Sequence, residues 1–108
     1  MVKKSPVAKL KDQVRQHEAR QNYQKAAEAY GELFRLEPEN PRWPQKAGES
    51  YRKLGQKAKV VEAFQQAAEV NATQGFLLKA ISLCKMILDL DPAHKKTQTM
   101  LADLYADQ

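Results

Sequence analysis

The residues that most enzyme chemistry depends on are scarce in this chain. Cys84 is the single cysteine, and His17 and His94 are the only histidines. One thiol closes no internal disulfide, which points to a reducing cytoplasm. Neither histidine has cysteine or carboxylate neighbours at metal-ligand spacing. The four glycines are scattered, so no loop is rich enough in glycine to cradle a phosphate. No apolar run approaches the roughly 20 residues of a membrane span. The start, Met1-Val2-Lys3-Lys4-Ser5-Pro6, has a basic pair but no apolar stretch behind it, so no secretory leader is expected. No strand-like alternation occurs. These absences argue against an enzyme, a cofactor, a metal and a membrane partner.

The 108 residues are 43% hydrophobic and 29% charged, which suits one globular domain with a modest core. The net charge of +5 favours acidic partners. Eighteen basic and thirteen acidic residues are interspersed, so the excess is mild.

Caps and periodicity divide the chain into six helices. Ser5-Pro6 reads as N-cap and first helical residue of a helix to Arg20, with Val7, Leu10 and Val14 on one face. Asn22 marks a turn. The second helix, Tyr23 to Leu36, turns Tyr23, Ala26, Ala27, Tyr30, Leu33 and Phe34 inward and stops at Glu37-Pro38. Asn40-Pro41 opens a third helix to Leu54, with Gly55 as its C-cap. The fourth, Lys57 to Val70, carries Val60, Val61, Phe64, Ala67 and Ala68, and Asn71 to Gln74 is expected to break it. The fifth, Gly75 to Leu90, is the most apolar. Asp91-Pro92 opens the sixth, to Ala106, with Met100, Leu101, Leu104 and Tyr105 inward.

An internal repeat runs through these helices. Tyr23, Ala26, Tyr30, Leu33 and Pro38 recur, 54 residues on, as Leu77, Ala80, Cys84, Ile87 and Pro92. The third helix supplies Ala47-Gly48-x2-Tyr51-x3-Gly55, and the sixth supplies Leu101-Ala102-x2-Tyr105. Together these resemble the tetratricopeptide pattern, whose period is roughly 34 residues. Val14 and His17 stand where the first helix would hold the pattern's Gly and Tyr, which assigns His17 a packing role. The implied fold is all-α: about six helices in antiparallel hairpins, forming a short right-handed solenoid with an irregular C-terminal hairpin. The implied units are repeat 1 (6–38), repeat 2 (40–71) and an atypical last hairpin (74–106). The 54-residue offset is 14 short of two periods, and the fourth helix fits both repeat roles. The segment from Gly75 to Pro92 also resembles the N-terminal tetratricopeptide segment of bacterial signalling proteins.

The resemblance implies a non-catalytic adaptor or scaffold in a cytosolic bacterial regulatory complex. Its partner would be a protein or peptide with acidic groups, held in a concave groove. The family's groove positions fall on Ala8, Lys11 and Arg15, then on Arg42, Gln45, Lys46, Glu49 and Arg52. Lys96, Thr99 and Asp103 would join them if the sixth helix is an inner one. Partner binding is therefore expected at Lys11, Arg15, Arg42, Gln45, Lys46, Glu49 and Arg52. Lys11 matches the Lys/Asn clamp of the chaperone-tail binders, but Arg15 and Lys46 stand where Asn is expected, so that specificity is not implied. Trp43 reads as packed on Tyr30 or Phe34, with a partly exposed anchor as the alternative. Cys84 reads as a core residue and His94 as a solvated one. The sixth helix is either the polar cap of the stack or an inner helix completed by a second copy of the chain. A helical nucleic-acid-binding protein is the alternative function, permitted by the charge, but no helix-turn-helix or dense basic face supports it.

Overall fold

A computed structural model describes residues 3–107. Met1 and Val2, part of the leader reading, and Gln108 lie outside them. The described residues form six helices and no strand: α1 (Pro6–Ala19), α2 (Tyr23–Leu36), α3 (Arg42–Lys53), α4 (Lys57–Thr73), α5 (Leu77–Leu90) and α6 (Lys95–Ala106). Each packs on its sequence neighbours in an elongated stack of 52 × 29 × 16 Å. This is the all-α hairpin architecture that the tetratricopeptide resemblance implies.

Two kinds of link join the helices. After α1, α3 and α4 the chain turns through a left-handed residue: Gln21 (φ 57°), Gly55 (φ 71°) and Gly75 (φ 84°). The next N–H then donates back into the helix: Asn22 to His17 O at 2.8 Å, Gln56 to Tyr51 O at 3.0 Å, Phe76 to Asn71 O at 2.9 Å. This left-handed C-cap satisfies carbonyls that a helix end leaves free. The links after α2 and α5 are different. Glu37 (φ −131°) and Asp91 (φ −141°) are pushed out of the helical region by the prolines that follow. Their N–H groups each donate at 2.8 Å, to Leu33 O and Ile87 O. Asn40 and His94 then close back on Glu37 O and Asp91 O at 3.0 and 3.1 Å. Thus α4 has the left-handed turn at both its ends, and α6 is reached through the same kind of link as α3.

The core has two lobes. One gathers Val14, Ala26, Ala29, Tyr30, Leu33, Trp43, Ala47 and Ala63. The other gathers Val60, Val61, Phe64, Ala67, Ala68, Ala80, Ile81, Leu83, Cys84, Ile87 and Leu104. Helix α4 contributes to both, and half-buried Tyr51 packs against both. At Gly48 the α3 backbone lies so close to α4 that a Cβ would strike the Phe64 ring. Helix α6 docks through a polar contact: the fully buried Thr97 hydroxyl donates to Gln65 Oε1 on α4, and Lys96 pairs with Glu69 at 3.1 Å.

Four local expectations are corrected. Asn71 does not break α4; it lies buried inside a longer helix, where its Nδ2 donates to Ala67 O at 2.9 Å. Bonding within its own helix removes the competition Asn usually offers, and the stop moves to left-handed Gly75. Helix α6 begins at Lys95, because Pro92 belongs to the link. His94 is its half-buried N-cap residue, with Nδ1 2.7 Å from Thr97 Oγ1. Tyr105 does not turn inward: it is 45% exposed, with Lys85 Nζ 5.9 Å from its ring.

Two glycines on helices should respond to alanine with opposite signs. Gly48→Ala forces a methyl onto Phe64 and should cost about 1–3 kcal/mol. Gly31 lies inside α2 with nothing within 4 Å of the position its Cβ would take. Gly31→Ala should stabilise by about 0.5–1 kcal/mol. Urea unfolding followed by circular dichroism reads both.

Candidate partner-binding groove

Because links are short, alternate helices face one another across the helix between them. Two clefts result on the face carrying α1, α3 and α5. The first, of about 280 Å³, lies between α1 and α3 over the α2 core. Lys11, Arg15 and Glu18 line it from α1, Arg42, Trp43 and Lys46 from α3, and Tyr30 from α2. The second, of about 470 Å³, lies between α3 and α5. Arg42, Gln45, Lys46 and Glu49 line it from α3, Lys79, Ser82, Leu83 and Met86 from α5, and Asn71 from the end of α4. Arg42 and Lys46 line both clefts, so the two adjoin along α3.

The floor of the first cleft is built from aromatics. Trp43 is buried and stacks on Tyr30, their ring centroids 6.1 Å apart at 25°. Its indole N–H donates to Glu37 Oε1 at 2.7 Å, which satisfies the only polar atom of the side chain. Tyr30 donates its hydroxyl to Glu18 Oε2 at 2.9 Å. Burial, then the bond to the Glu18 carboxylate, push the Tyr30 phenol well above its usual range, so it stays a donor. The packed reading of Trp43 thus holds, and the exposed-anchor alternative does not.

Charge in the groove is predominantly positive. Lys11, Arg15, Arg42, Lys46 and Lys79 line it, against Glu18 and Glu49. Both carboxylates have partners: Glu18 takes the Tyr30 hydroxyl, and Glu49 lies 3.5 Å from Lys46 Nζ. Lys11 Nζ sits 5.5 Å from the Trp43 ring, and Arg15 reaches Asp12 at 3.3 Å. Lys4 also pairs with Asp12, and its hydrogen bond and charge hold that carboxyl below the usual carboxylate range. These are exposed contacts of little worth to stability, which leaves the cations available to an incoming anion.

The structure brings together six of the seven expected positions: Lys11, Arg15, Arg42, Gln45, Lys46 and Glu49. Arg52 is elsewhere, with its guanidinium 5.4 Å from the Phe64 ring. Ala8 lines neither cleft, and on α6 Lys96 is engaged with Glu69. The α5 wall of Lys79, Ser82 and Met86 lies outside the expected positions. Its sequence signal is the pair Lys79 and Ser82, polar residues at i and i+3 that interrupt one face of an apolar helix, with Met86 at i+7 on the same face.

Among the described residues, no three of His, Cys, Asp and Glu are placed to hold a metal ion. None of the helices described is long and apolar enough to cross a membrane. Cys84 is fully buried, and burial pushes its thiol up, away from the reactive thiolate.

No protein-family model matches the chain, and no curated protein matches it. Among solved structures it is similar to the first TPR of Spaghetti (RPAP3) bound to HSP90 peptide SRMEEVD. The two are 17% identical over 98% of each chain, with a TM-score of 0.48.

Burial of Trp43 and Cys84 has a direct optical and chemical readout. Trp43 emission should be blue-shifted and resist acrylamide. Cys84 should react with a thiol reagent only on the timescale of unfolding, at least a hundredfold more slowly than in urea, as expected for a site whose opening costs several kcal/mol. Fast labelling of the folded chain would contradict the buried position.

Proposed function

We propose that this chain is a non-catalytic interaction module whose groove across α3 holds an acidic segment of a protein partner. One observation carries the reading. Five cations, Lys11, Arg15, Arg42, Lys46 and Lys79, line two adjoining clefts and outnumber Glu18 and Glu49, even with Lys46 paired to Glu49. Arg42 and Lys46, shared by both clefts, occupy the centre, where a bound carboxylate would meet the most positive surroundings. Arg can take a carboxylate through two parallel hydrogen bonds, and Lys offers a mobile point charge. The aromatic floor is held by its own stacking and hydrogen bonds, so the cleft is formed before a ligand arrives. A place in a cytosolic bacterial regulatory assembly rests on the sequence resemblance alone.

A fluorescein-labelled octapeptide of alternating Glu and Asp is a suitable probe. Its anisotropy should report binding that weakens with salt. The Arg42→Glu, Lys46→Glu double variant should weaken binding about tenfold or more. Lys9→Glu, Lys57→Glu changes net charge equally, but on exposed residues outside both clefts, and should have little effect. Equal losses in the two variants would mean that only net charge matters. Binding of an arbitrary DNA duplex that survives both would favour a nucleic-acid ligand.

Self-association through α6 belongs to the same proposal. This helix follows a link of the kind that precedes α3, and it leaves Tyr105 45% exposed. Sedimentation at rising concentration should show a dimer that Tyr105→Lys removes; a monomer throughout would rule it out.

A further inference from the structure

Two stretches of the sequence, residues 19–27 and 50–61, hold Arg20, Lys25, Arg52, Lys53, Lys57 and Lys59 and no carboxylate. The rest of the chain has twelve basic and thirteen acidic residues, so the net charge of +5 resides in these two stretches. Neither stretch alone makes a basic helix face. The fold joins them.

The first stretch ends α1 and starts α2; the second ends α3 and starts α4. Successive helices alternate in direction, so both turns lie at the same end of the stack. Gln56 Nε2 donates to Gln24 Oε1 at 3.3 Å, and Lys53 Nζ stands 5.4 Å from the Tyr23 ring. These contacts tie one turn to the other as a single ridge. All six cations are exposed, and none has an ion-pair partner among the described residues. The next carboxylates along α2 and α4, Glu28 and Glu62, lie one helical turn further in. No side chain caps α4, so the start of that helix adds partial positive charge to the same ridge. Like charges gathered without counter-charges repel one another and do not serve the fold.

We propose that this ridge binds the phosphate backbone of a duplex nucleic acid, on a surface separate from the cleft face. None of the six cations lines either cleft. Lys and Arg with the amides of Gln21, Gln24 and Gln56 among them are donors that phosphate oxygens accept from, independently of base sequence. A single strand is held by aromatic faces on which its bases stack. Here the Tyr23 and Tyr51 rings already have lysines near them, Lys59 Nζ standing 5.7 Å from Tyr51. A membrane surface would be met by several large apolar anchors, and Leu54 is the only exposed large apolar side chain in either stretch.

The test is anisotropy of the intact chain with a fluorescein-labelled DNA duplex of arbitrary sequence, titrated between about 50 and 200 mM salt. Binding should be weak, with a dissociation constant of about 1–100 µM, and log affinity should fall against log salt with a slope of about −3 to −5. The Lys25→Gln, Lys53→Gln, Lys57→Gln variant should lose about tenfold or more in affinity and about two to three units of slope. The Arg15→Gln, Arg42→Gln, Lys46→Gln variant removes the same charge from the clefts and should keep the wild-type slope. All six substituted residues are exposed, so both variants should keep the wild-type melting curve. The acidic octapeptide should show the reverse pattern, so the ridge and the groove can fail separately. Equal losses of duplex binding in the two variants, or none in the first, would overturn the ridge. So would tighter binding of a single strand of the same length. Capture by phosphatidylserine vesicles with no binding of the duplex would assign the ridge to a membrane surface instead and overturn the nucleic-acid reading.

Discussion

The backbone of α3 approaches α4 so closely at Gly48 that the Phe64 ring occupies the space a methyl group would need. Phe64 is fully buried, and its far side meets the apolar lobe of α4, α5 and α6. This contact fixes the spacing of the central pair of helices. The α3 side chains that line the clefts, Arg42, Gln45, Lys46 and Glu49, are held at a set height above α4 as a result. Arg52 pairs with the same ring and is thereby drawn out of the groove. One small residue beside one large one thus positions both the core and the charged surface.

The two kinds of link bear on how the stack makes its clefts. Left-handed turns follow α1, α3 and α4, so α4 closes one hairpin and opens the next. With each helix packed on its sequence neighbours, α5 falls on the same side of the stack as α3. Its polar stripe then becomes the second wall of a cleft whose first wall is α3. A helix with an outer-helix residue pattern serves here as an inner wall, and this gives the cleft its mixture of Lys79, Ser82, Leu83 and Met86 rather than a third set of basic residues.

Much of this was legible because the signals are local. Ser5-Pro6 marks the start of α1, and Ser5 Oγ does accept from Ala8 N, at 3.1 Å. Gly55 marks the end of α3 because glycine takes a φ of 71° without steric cost. The repeat offsets of Ala26, Tyr30 and Leu33, and of Ala47, Gly48 and Tyr51, carried the hairpin architecture. What escaped depends on contacts distant in sequence. Asn71 reads as a breaker until its amide is seen to bond within its own helix. Lys79 and Ser82 acquire meaning only when α5 is set opposite α3. Arg52 has the spacing of a groove residue, but an aromatic ring on another helix competes for its guanidinium.

The shared position of α4 also bears on how the molecule comes apart. In regular solenoids each unit touches only its neighbours, and an array can lose terminal units while the rest persists. Here Ala63 belongs to one lobe of the core and Phe64 to the other. No boundary within α4 separates two units that could unfold alone. Opening either lobe exposes one face of the same 17-residue helix, so the amides of α4 should exchange only with global unfolding, while α1 and α6 fray at lower free energy. A helix that serves both lobes makes the molecule a single cooperative block rather than a row of separable units.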